Sequence, residues 1–235
     1  MKSKISRKQL QAVFLDTVPV LTGYLFLGMG FGILLTEKTG YNVWWAFGMG
    51  LFILAGSGQY LAVGLLAGHA SFLSAAVATL LVNARHIFYG ISLLDTYRGA
   101  GKKKPYMIFA LTDETYTLVT QNQPPEGMSR HSYCFAVSLL DHIYWICGCT
   151  LGSLAGTYIP INFEGIEFVL TALFVTMFVE QWLSTENHGP ALIGVICTVV
   201  CLVSIGSEYF LIPSMAAIAT LLTLSRKTGR RESCA

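Results

Sequence analysis

The sequence predicts an all-α, polytopic membrane protein, a bundle of transmembrane helices with almost no mass outside the lipid bilayer. Hydrophobic residues make up 54% of the 235 residues and charged residues only 12%, whereas a soluble domain carries about 25% charged residues. The mean hydropathy is +0.58. Apolar stretches recur along the whole chain, and about 20 apolar residues are enough for one helical crossing.

Eight hydrophobic elements follow one another, and each is predicted to be a helix because unpaired backbone groups are too costly in lipid. They cover residues 12–35, 43–67, 71–95, 106–120, 131–156, 166–183, 190–206 and 208–224. The first is too long for a secretory signal and lacks an A-x-A-like cleavage site, so it is expected to stay in the mature chain. The prediction is a single integral membrane transport domain, 1–235, with cytoplasmic tails at 1–11 and 225–235.

Clusters of lysine and arginine predict the orientation, because such clusters favour the cytoplasmic side of the membrane. They lie in the N-terminal tail, in the loop 98–104 and in the C-terminal tail. Three elements separate the first two clusters, although both clusters should lie in the cytoplasm. One of the three elements is therefore expected not to cross the membrane fully.

The element 43–67 is the best candidate for a broken or re-entrant helix, because Ala-Gly-Ser-Gly-Gln at 55–59 interrupts it. Breaks of this kind are tolerated where they line a protected cavity. The short element 106–120 contains Asp113 and Glu114 and is expected to enter and return in the same way. Six full crossings plus two broken or re-entrant helices satisfy the charge pattern, and the alternative is seven or eight ordinary spans.

Arg85 and His86 lie in the middle of the third apolar stretch. An arginine at the bilayer centre costs from about 2.5 to more than 10 kcal/mol, so it normally faces a wet cavity or a charge partner and marks a solute pathway. This pattern predicts a transporter. Arg85 can bind a carboxylate through two hydrogen bonds or pair with Asp16, Asp113 or Glu114, of which Asp113 is preferred. His86 can relay a proton near neutral pH or serve as a polar core residue.

Two further features allow a functional and a structural interpretation. The break at 55–59 would begin a half-helix whose partial positive charge of about half a unit suits a carboxylate, or it would permit close helix packing. Asp16, three residues before Pro19, can bind a substrate amine or a proton, or can cap the start of its helix.

Glycines at four-residue spacing predict close helix contacts, Gly28 and Gly32 in the first element and Gly148, Gly152 and Gly156 in the fifth. The six cysteines form no CxxC pair and are interpreted as small buried residues. No metal site and no cofactor are expected. The basic clusters are orientation signals, so nucleic acid is not an expected partner.

Two other function classes stay open. A membrane-embedded enzyme would use His86 or Asp113 as acid or base, but neither HExxH nor GxSxG occurs in the sequence. A passive channel would allow flux only down the gradient of its solute. Transport is the preferred interpretation, and the chain is not expected to be an enzyme.

Three motifs in a fixed order resemble those of the AzlC family, the large subunit of bacterial branched-chain amino acid exporters. The family patterns are A-G-x-x-Q-[FY], [DN]-x-R-H-x-x-Y-G and L-T-D-E. The corresponding segments here are Ala-Gly-Ser-Gly-Gln-Tyr at 55–60, Asn-Ala-Arg-His-Ile-Phe-Tyr-Gly at 83–90, and Leu-Thr-Asp-Glu at 111–114. Some relatives carry Asp where this chain has Asn83, which removes one possible carboxylate partner of Arg85.

The resemblance implies export of leucine, isoleucine, valine or related neutral amino acids across the bacterial plasma membrane, together with a small AzlD-type membrane subunit. The expected mechanism is alternating access, with proton coupling as the favoured driving force. Arg85 or the amides at 56–58 would hold the substrate carboxylate, and Asp113 its ammonium group or the coupling proton. The predicted substrate-binding or proton-coupling residues are Asp16, Gly56, Ser57, Gly58, Gln59, Asn83, Arg85, His86, Tyr89, Asp113 and Glu114.

Overall fold

The computed structural model describes residues 6–159, 165, 168–186, 188–206, 210, 213–214, 216–218 and 220–223. The described residues contain helices and no strand, which confirms the all-α prediction. The helices are α1 (Arg7–Thr39), α2 (Val43–Phe52), α3 (Gly56–Ala67), α4 (Phe72–Asn83), α5 (Arg85–Ser92), α6 (Lys104–Phe109), α7 (Asp113–Gln121), α8 (Arg130–Tyr158), α9 (Phe168–Ser184) and α10 (Gly189–Ile205). They divide into two compact units, Met1–Leu170 and Thr171–Ala235.

Helix α1 begins earlier than predicted because Ser6 caps it. The Ser6 side chain accepts a hydrogen bond from Gln9 N at 3.2 Å, and the Gln9 side chain accepts one from Ser6 N at 2.9 Å. This reciprocal pair satisfies two backbone donors of the first turn. Asp16 therefore lies well inside a helix of 33 residues. The alternative that Asp16 caps the helix start is wrong.

The first unit contains a close packing of α1 against α8 at the glycines that the sequence predicts to make close helix contacts. A Cβ atom on Gly28 would lie 2.9 Å from the backbone of Gly148, and one on Gly152 would collide with the backbone of Met29. Without a hydrophobic driving force between helices in lipid, such backbone proximity is what allows dispersion contacts to accumulate. The prediction of close helix contact at these glycines is confirmed.

The predicted break in the second element is present, but it lies slightly earlier in the chain. Helix α2 ends at Phe52 and α3 begins at Gly56. Leu54, between the two helices, has a φ of +40°, a conformation that non-glycine residues rarely adopt. The segment from Gly56 to Gln59 thus forms the first turn of α3 and is not itself the break.

The third element, predicted as continuous over 71–95, is broken at Ala84, and its two segments bend by 42°. Side chains that follow the break occupy the last carbonyl groups of α4. Arg85 Nη1 donates to the Val82 carbonyl at 3.2 Å, and His86 Nδ1 lies 3.1 Å from the Asn83 carbonyl. Side chains that bind backbone acceptors in this way can end or bend a helix.

The fourth element is also divided, into α6 and α7. Thr112 caps α7, since its hydroxyl accepts from Thr115 N at 3.2 Å. At the other end of α7, Arg130 donates to the carbonyls of Val119 and Asn122, which satisfies acceptors that the helix leaves unpaired. Both ends of this short helix are therefore fixed, one of them by the first residue of α8.

By length and composition, α1 and α8 can each cross a membrane, and α4 with α5 makes a third span if the bent pair is counted as one. The number of crossings and the single transport domain stay predictions. The bounds of α9 and α10 differ by at most two residues from the predicted elements 166–183 and 190–206. Trp182 stacks on His188 with ring centroids 4.0 Å apart. Of the eighth predicted element, 208–224, the structure describes 210, 213–214, 216–218 and 220–223, whereas the tail 225–235 lies outside the described residues.

Candidate functional site

Three helix breaks meet at the guanidinium group of Arg85, the first residue of α5. Its Nε donates to Asp113 Oδ1 at 2.9 Å, in the first turn of α7. Its Nη2 donates to Ser57 Oγ at 3.0 Å, in the first turn of α3. Segments that are separate in the sequence therefore share one side chain, and Asp113 is the carboxylate that pairs with Arg85, as preferred from the sequence.

The guanidinium group keeps hydrogen-bonding capacity beyond these contacts. An arginine has five N–H donors, and the contacts to Asp113, Ser57 and the Val82 carbonyl use one on each nitrogen. One N–H on each terminal nitrogen is left for a carboxylate that binds both of them. The side chains of Arg85 and Asp113 are 28% and 22% exposed, so the ion pair is only partly buried.

Two buried polar atoms in the motifs that contain Ser57 and Arg85 have no hydrogen-bond partner among the described residues, Gln59 Nε2 and Asn83 Oδ1. Leaving such an atom unpaired costs about 1–3 kcal/mol. The Asn83 amide lies against Gly58, where a Cβ atom would be 2.9 Å from Asn83 Nδ2. The motifs at 55–60 and 83–90, which also contain Ser57 and Arg85, thus each contain one unpaired buried polar atom.

The α3 half-helix is held in place by Trp145 of α8. Trp145 Nε1 donates to Gln59 Oε1 at 2.6 Å, and its ring lies against Gly56, where a Cβ atom would be 3.2 Å from the ring. This contact is the close packing that the sequence offered as an alternative to ligand binding. Packing at Gly56 and polar groups at Ser57 and Gln59 therefore occur together in the same turn.

His86 and Tyr89 continue the site along α5. The His86 ring meets Tyr89 edge to face at 5.9 Å, and Tyr89 stacks on Tyr116 of α7 at 4.7 Å. Aromatic pairs at these separations and angles are favourable. The Tyr89–Tyr116 contact connects α5 to α7.

Glu114 and Asp16 do not pair with Arg85 in the structure. Glu114 accepts a hydrogen bond from Tyr24 at 2.7 Å, so the two adjacent carboxylates of α7 have different partners. Asp16 accepts one from Tyr133 of α8 at 3.0 Å. Sequence reasoning placed Asp16 with the other candidates, whereas its contact lies between α1 and the start of α8.

Residues that the sequence did not single out connect Glu114 to the interior. Tyr24 and Thr112 share a hydrogen bond at 2.6 Å, and Thr115 donates to Asp141 at 2.7 Å. Hydroxyl residues on apolar helices are common, so their spacing alone did not predict this hydrogen-bonded cluster. The adjacent Asp141 and His142 in an apolar helix were the one signal that another polar cluster was present.

The chain is similar to known proteins over most of its length. A family model described as AzlC protein matches residues 19–159, which include all three motifs. The chain is 40% identical over 225 residues to a Bacillus subtilis (strain 168) protein named "Branched-chain amino acid transport protein AzlC", covering 94% of this chain and 88% of the relative.

Other relatives are named only as membrane proteins. An uncharacterized membrane protein of Helicobacter pylori (strain ATCC 700392 / 26695) is 42% identical over 220 residues, covering 94% of this chain and 96% of the relative. One of Haemophilus influenzae is 41% identical over 215 residues, covering 91% and 88%. No solved structure matches the chain. With its apolar helices, the chain is a helical membrane protein.

Proposed function

The chain belongs to the AzlC family, and from that premise we propose that it transports branched-chain or related neutral amino acids across the bacterial plasma membrane. The substrate class comes from the name of the Bacillus subtilis relative. The observation that carries the proposal is the meeting of Ser57, Arg85 and Asp113 at three helix breaks. Groups of both charges at one partly exposed place suit a zwitterion.

The substrate carboxylate binds the two remaining N–H groups of the Arg85 terminal nitrogens, supported by Gln59 Nε2. The substrate ammonium group binds Asp113, whose carboxylate has about four acceptor positions and uses one for Arg85 Nε. Asn83 Oδ1 supplies a further acceptor. Tyr89 lies beside the site and contacts the aliphatic side chain. This assignment gives the unpaired polar atoms of Gln59 and Asn83 a ligand to bind.

The direction of transport is outward, by alternating access, and the N-terminus and C-terminus lie in the cytoplasm. Export against a gradient requires coupling to another solute. Protons are the coupling ion, with His86, Asp113 and Glu114 as the groups that can bind them in the site. A small AzlD-type membrane subunit completes the exporter, so the active unit is a complex of two different chains.

Reconstitution of the chain with its small subunit tests this function. Radioactive leucine, isoleucine and valine are loaded into proteoliposomes, and their movement is followed with and without a pH gradient. Accumulation beyond the level set by the leucine gradient identifies an active transporter, whereas flux that never exceeds that level identifies a channel. Equal movement of glutamate or lysine, or no movement of any branched-chain amino acid, would contradict the proposal.

Gly58→Ala is expected to lower leucine transport severalfold while leaving the folded protein intact. The new methyl group meets the end of the Asn83 side chain at 2.9 Å, and this flexible side chain can move aside at little cost. Its displacement removes one polar contact of about 1 kcal/mol, or about fivefold. Transport and membrane abundance are measured together.

Gly64→Ala is the matched control, because Gly64 lies in the same helix and has nothing within 4 Å of an added Cβ atom. Its transport rate should equal that of the wild type. Equal transport by Gly58→Ala and Gly64→Ala would remove Asn83 from the substrate site.

A further inference from the structure

A continuous chain of hydrogen bonds joins two carboxyl groups on different helices. Glu114 Oε2 lies 2.7 Å from the Tyr24 hydroxyl, which lies 2.6 Å from Thr112 Oγ1. Thr112 Oγ1 lies 3.0 Å from Thr115 Oγ1, which lies 2.7 Å from Asp141 Oδ2. Three hydroxyl groups, from α1, the α7 cap and α7, therefore bridge Glu114 of α7 and Asp141 of α8.

The number of hydrogen atoms in this chain decides its protonation. Four links need four hydrogens, but the three hydroxyl groups supply only three, because each hydroxyl has one hydrogen to donate. If both carboxyl groups were ionised, one link would bring two acceptor oxygens together without a hydrogen between them. All four links form only when one of the two carboxyl groups carries a proton.

The surroundings of Asp141 support the same conclusion. Asp141 is 1% exposed, and its Oδ1 has no partner among the described residues. A buried carboxylate without a cation and with an unpaired oxygen is costly, and protonation removes the charge. Arg85 does not serve as its cation, since the guanidinium pairs with Asp113.

Titratable groups face the pair from four helices, and none of those described is a cation. They are Tyr24 of α1, Tyr89 of α5, Asp113 of α7 and Tyr144 of α8. His142 follows Asp141 in α8, but its ring contacts the Tyr106 hydroxyl at 2.9 Å and the Gly50 carbonyl at 3.3 Å. The excess proton therefore belongs to the two carboxyl groups and the hydroxyls between them.

We propose that Glu114 and Asp141 share one proton through Tyr24, Thr112 and Thr115, and that this pair is the proton-binding site of the transporter. In one state Glu114 donates to Tyr24, and each hydroxyl donates onward to ionised Asp141. In the other state the four hydrogen bonds point the opposite way. Conversion breaks one O–H bond and forms one at each step, moving a single proton between the carboxyl groups with no change in electron count.

This assignment rests on the proposed function and makes it more specific. Glu114 lies next to Asp113 in the first turn of α7, so one end of the chain adjoins the residue that pairs with Arg85. The other end lies in α8, the long helix packed on α1. A change of charge at Glu114 alters the electrostatic potential at Asp113. This interaction links proton transfer to occupation of the substrate site.

Infrared spectroscopy of the purified two-subunit complex at neutral pH tests the shared proton directly. The wild type should show the C=O stretch of one protonated buried carboxyl group. Glu114→Gln and Asp141→Asn should each abolish this band, because either amide can donate the missing hydrogen and leave the other carboxyl group ionised. Loss of the band in only one of the two variants, or no band in the wild type, would show that the proton is not shared.

Transport assays test the path. Thr115→Val removes a hydroxyl without changing side-chain size, and pH-gradient-driven leucine accumulation should fall about tenfold or more, since hydrogen bonds to charged groups are strong. Leucine exchange at equal pH should continue in that variant. Thr115→Ser should keep accumulation, and Tyr144→Phe controls for loss of a buried tyrosine hydroxyl outside the chain. Wild-type accumulation by Thr115→Val would overturn the path.

The two proposals fail in different ways. A wild-type complex that does not move leucine refutes the proposed function, while the infrared result still decides whether the carboxyl groups share a proton. Leucine transport whose rate and extent do not depend on the pH gradient refutes only the proposed role of Glu114 and Asp141 in proton coupling.

Discussion

Arg85→Gln is expected to lower leucine transport by about tenfold to a hundredfold. The substitution removes the charge that we propose to hold the substrate carboxylate, and a charge-assisted hydrogen bond contributes about 1.5–3 kcal/mol. It also leaves Asp113 without the partner that lies 2.9 Å away. Initial rates of leucine movement in proteoliposomes, normalised to the amount of folded protein, measure the effect.

The double variant Arg85→Gln with Asp113→Asn separates substrate binding from structural pairing. Neutralising both partners removes the unpaired charge, so protein abundance and thermal stability should return toward those of the wild type. Transport should stay low, because neither charge of the zwitterion has a partner. If transport returned together with stability, Arg85 and Asp113 would be a structural pair only.

Arg98→Gln is the matched control for loss of an arginine. Arg98 lies 3.5 Å from Asp95, and the two side chains are 84% and 88% exposed. Exposed ion pairs of this kind contribute little to stability. The Arg98 variant should therefore transport leucine at the wild-type rate.

Gly152→Leu is expected to prevent correct assembly of the first unit. A Cβ atom at this position collides with the Met29 backbone of α1, and a backbone cannot turn aside as a side chain can. Overpacking of a well-packed core costs about 1–3 kcal/mol, and a collision with the main chain belongs at the upper end of that range or above it. The yield of folded protein after detergent extraction, and its thermal unfolding, measure the effect.

Gly48→Leu provides the comparison, since an added Cβ atom on Gly48 has nothing within 4 Å. This variant should be extracted in wild-type amount and unfold at a similar temperature. Similar unfolding of the Gly152 and Gly48 variants would show that the glycine contact between α1 and α8 is not needed for stability.

The sequence predicted those features that depend on the energetic cost of a single residue type at a given position. Arg85 in an apolar stretch predicted a polar site and a carboxylate partner, and the structure has both. The glycine spacing predicted close helix contacts in the first and fifth elements, and the structure shows that α1 and α8 make these contacts with each other. The glycines at 56 and 58 also predicted a broken second element, although Leu54 has the unusual backbone conformation.

Other features depend on contacts between distant segments and left little trace in local patterns. The break at Ala84 follows from side chains that bind the carbonyls of Val82 and Asn83, and hydropathy does not record such bonds. Likewise, Tyr24 and Thr115 are ordinary residues in apolar helices until folding places them between two carboxyl groups. Composition identifies the cost of burying a charge, whereas the partners of that charge are decided by tertiary structure.

The backbone contact between α1 and α8 has a consequence for motion. Two helices that meet at glycines along several turns have little room to slide or rotate, because any shift drives one main chain into the other. Under the proposed function, we expect the rearrangements that open the site to lie in the interrupted helices, near Leu54 and Ala84. Arg85 and Glu114 lie on the interrupted helices, whereas Asp16 and Asp141 lie on the closely packed pair of α1 and α8, so the proposed proton pair of Glu114 and Asp141 bridges the two parts.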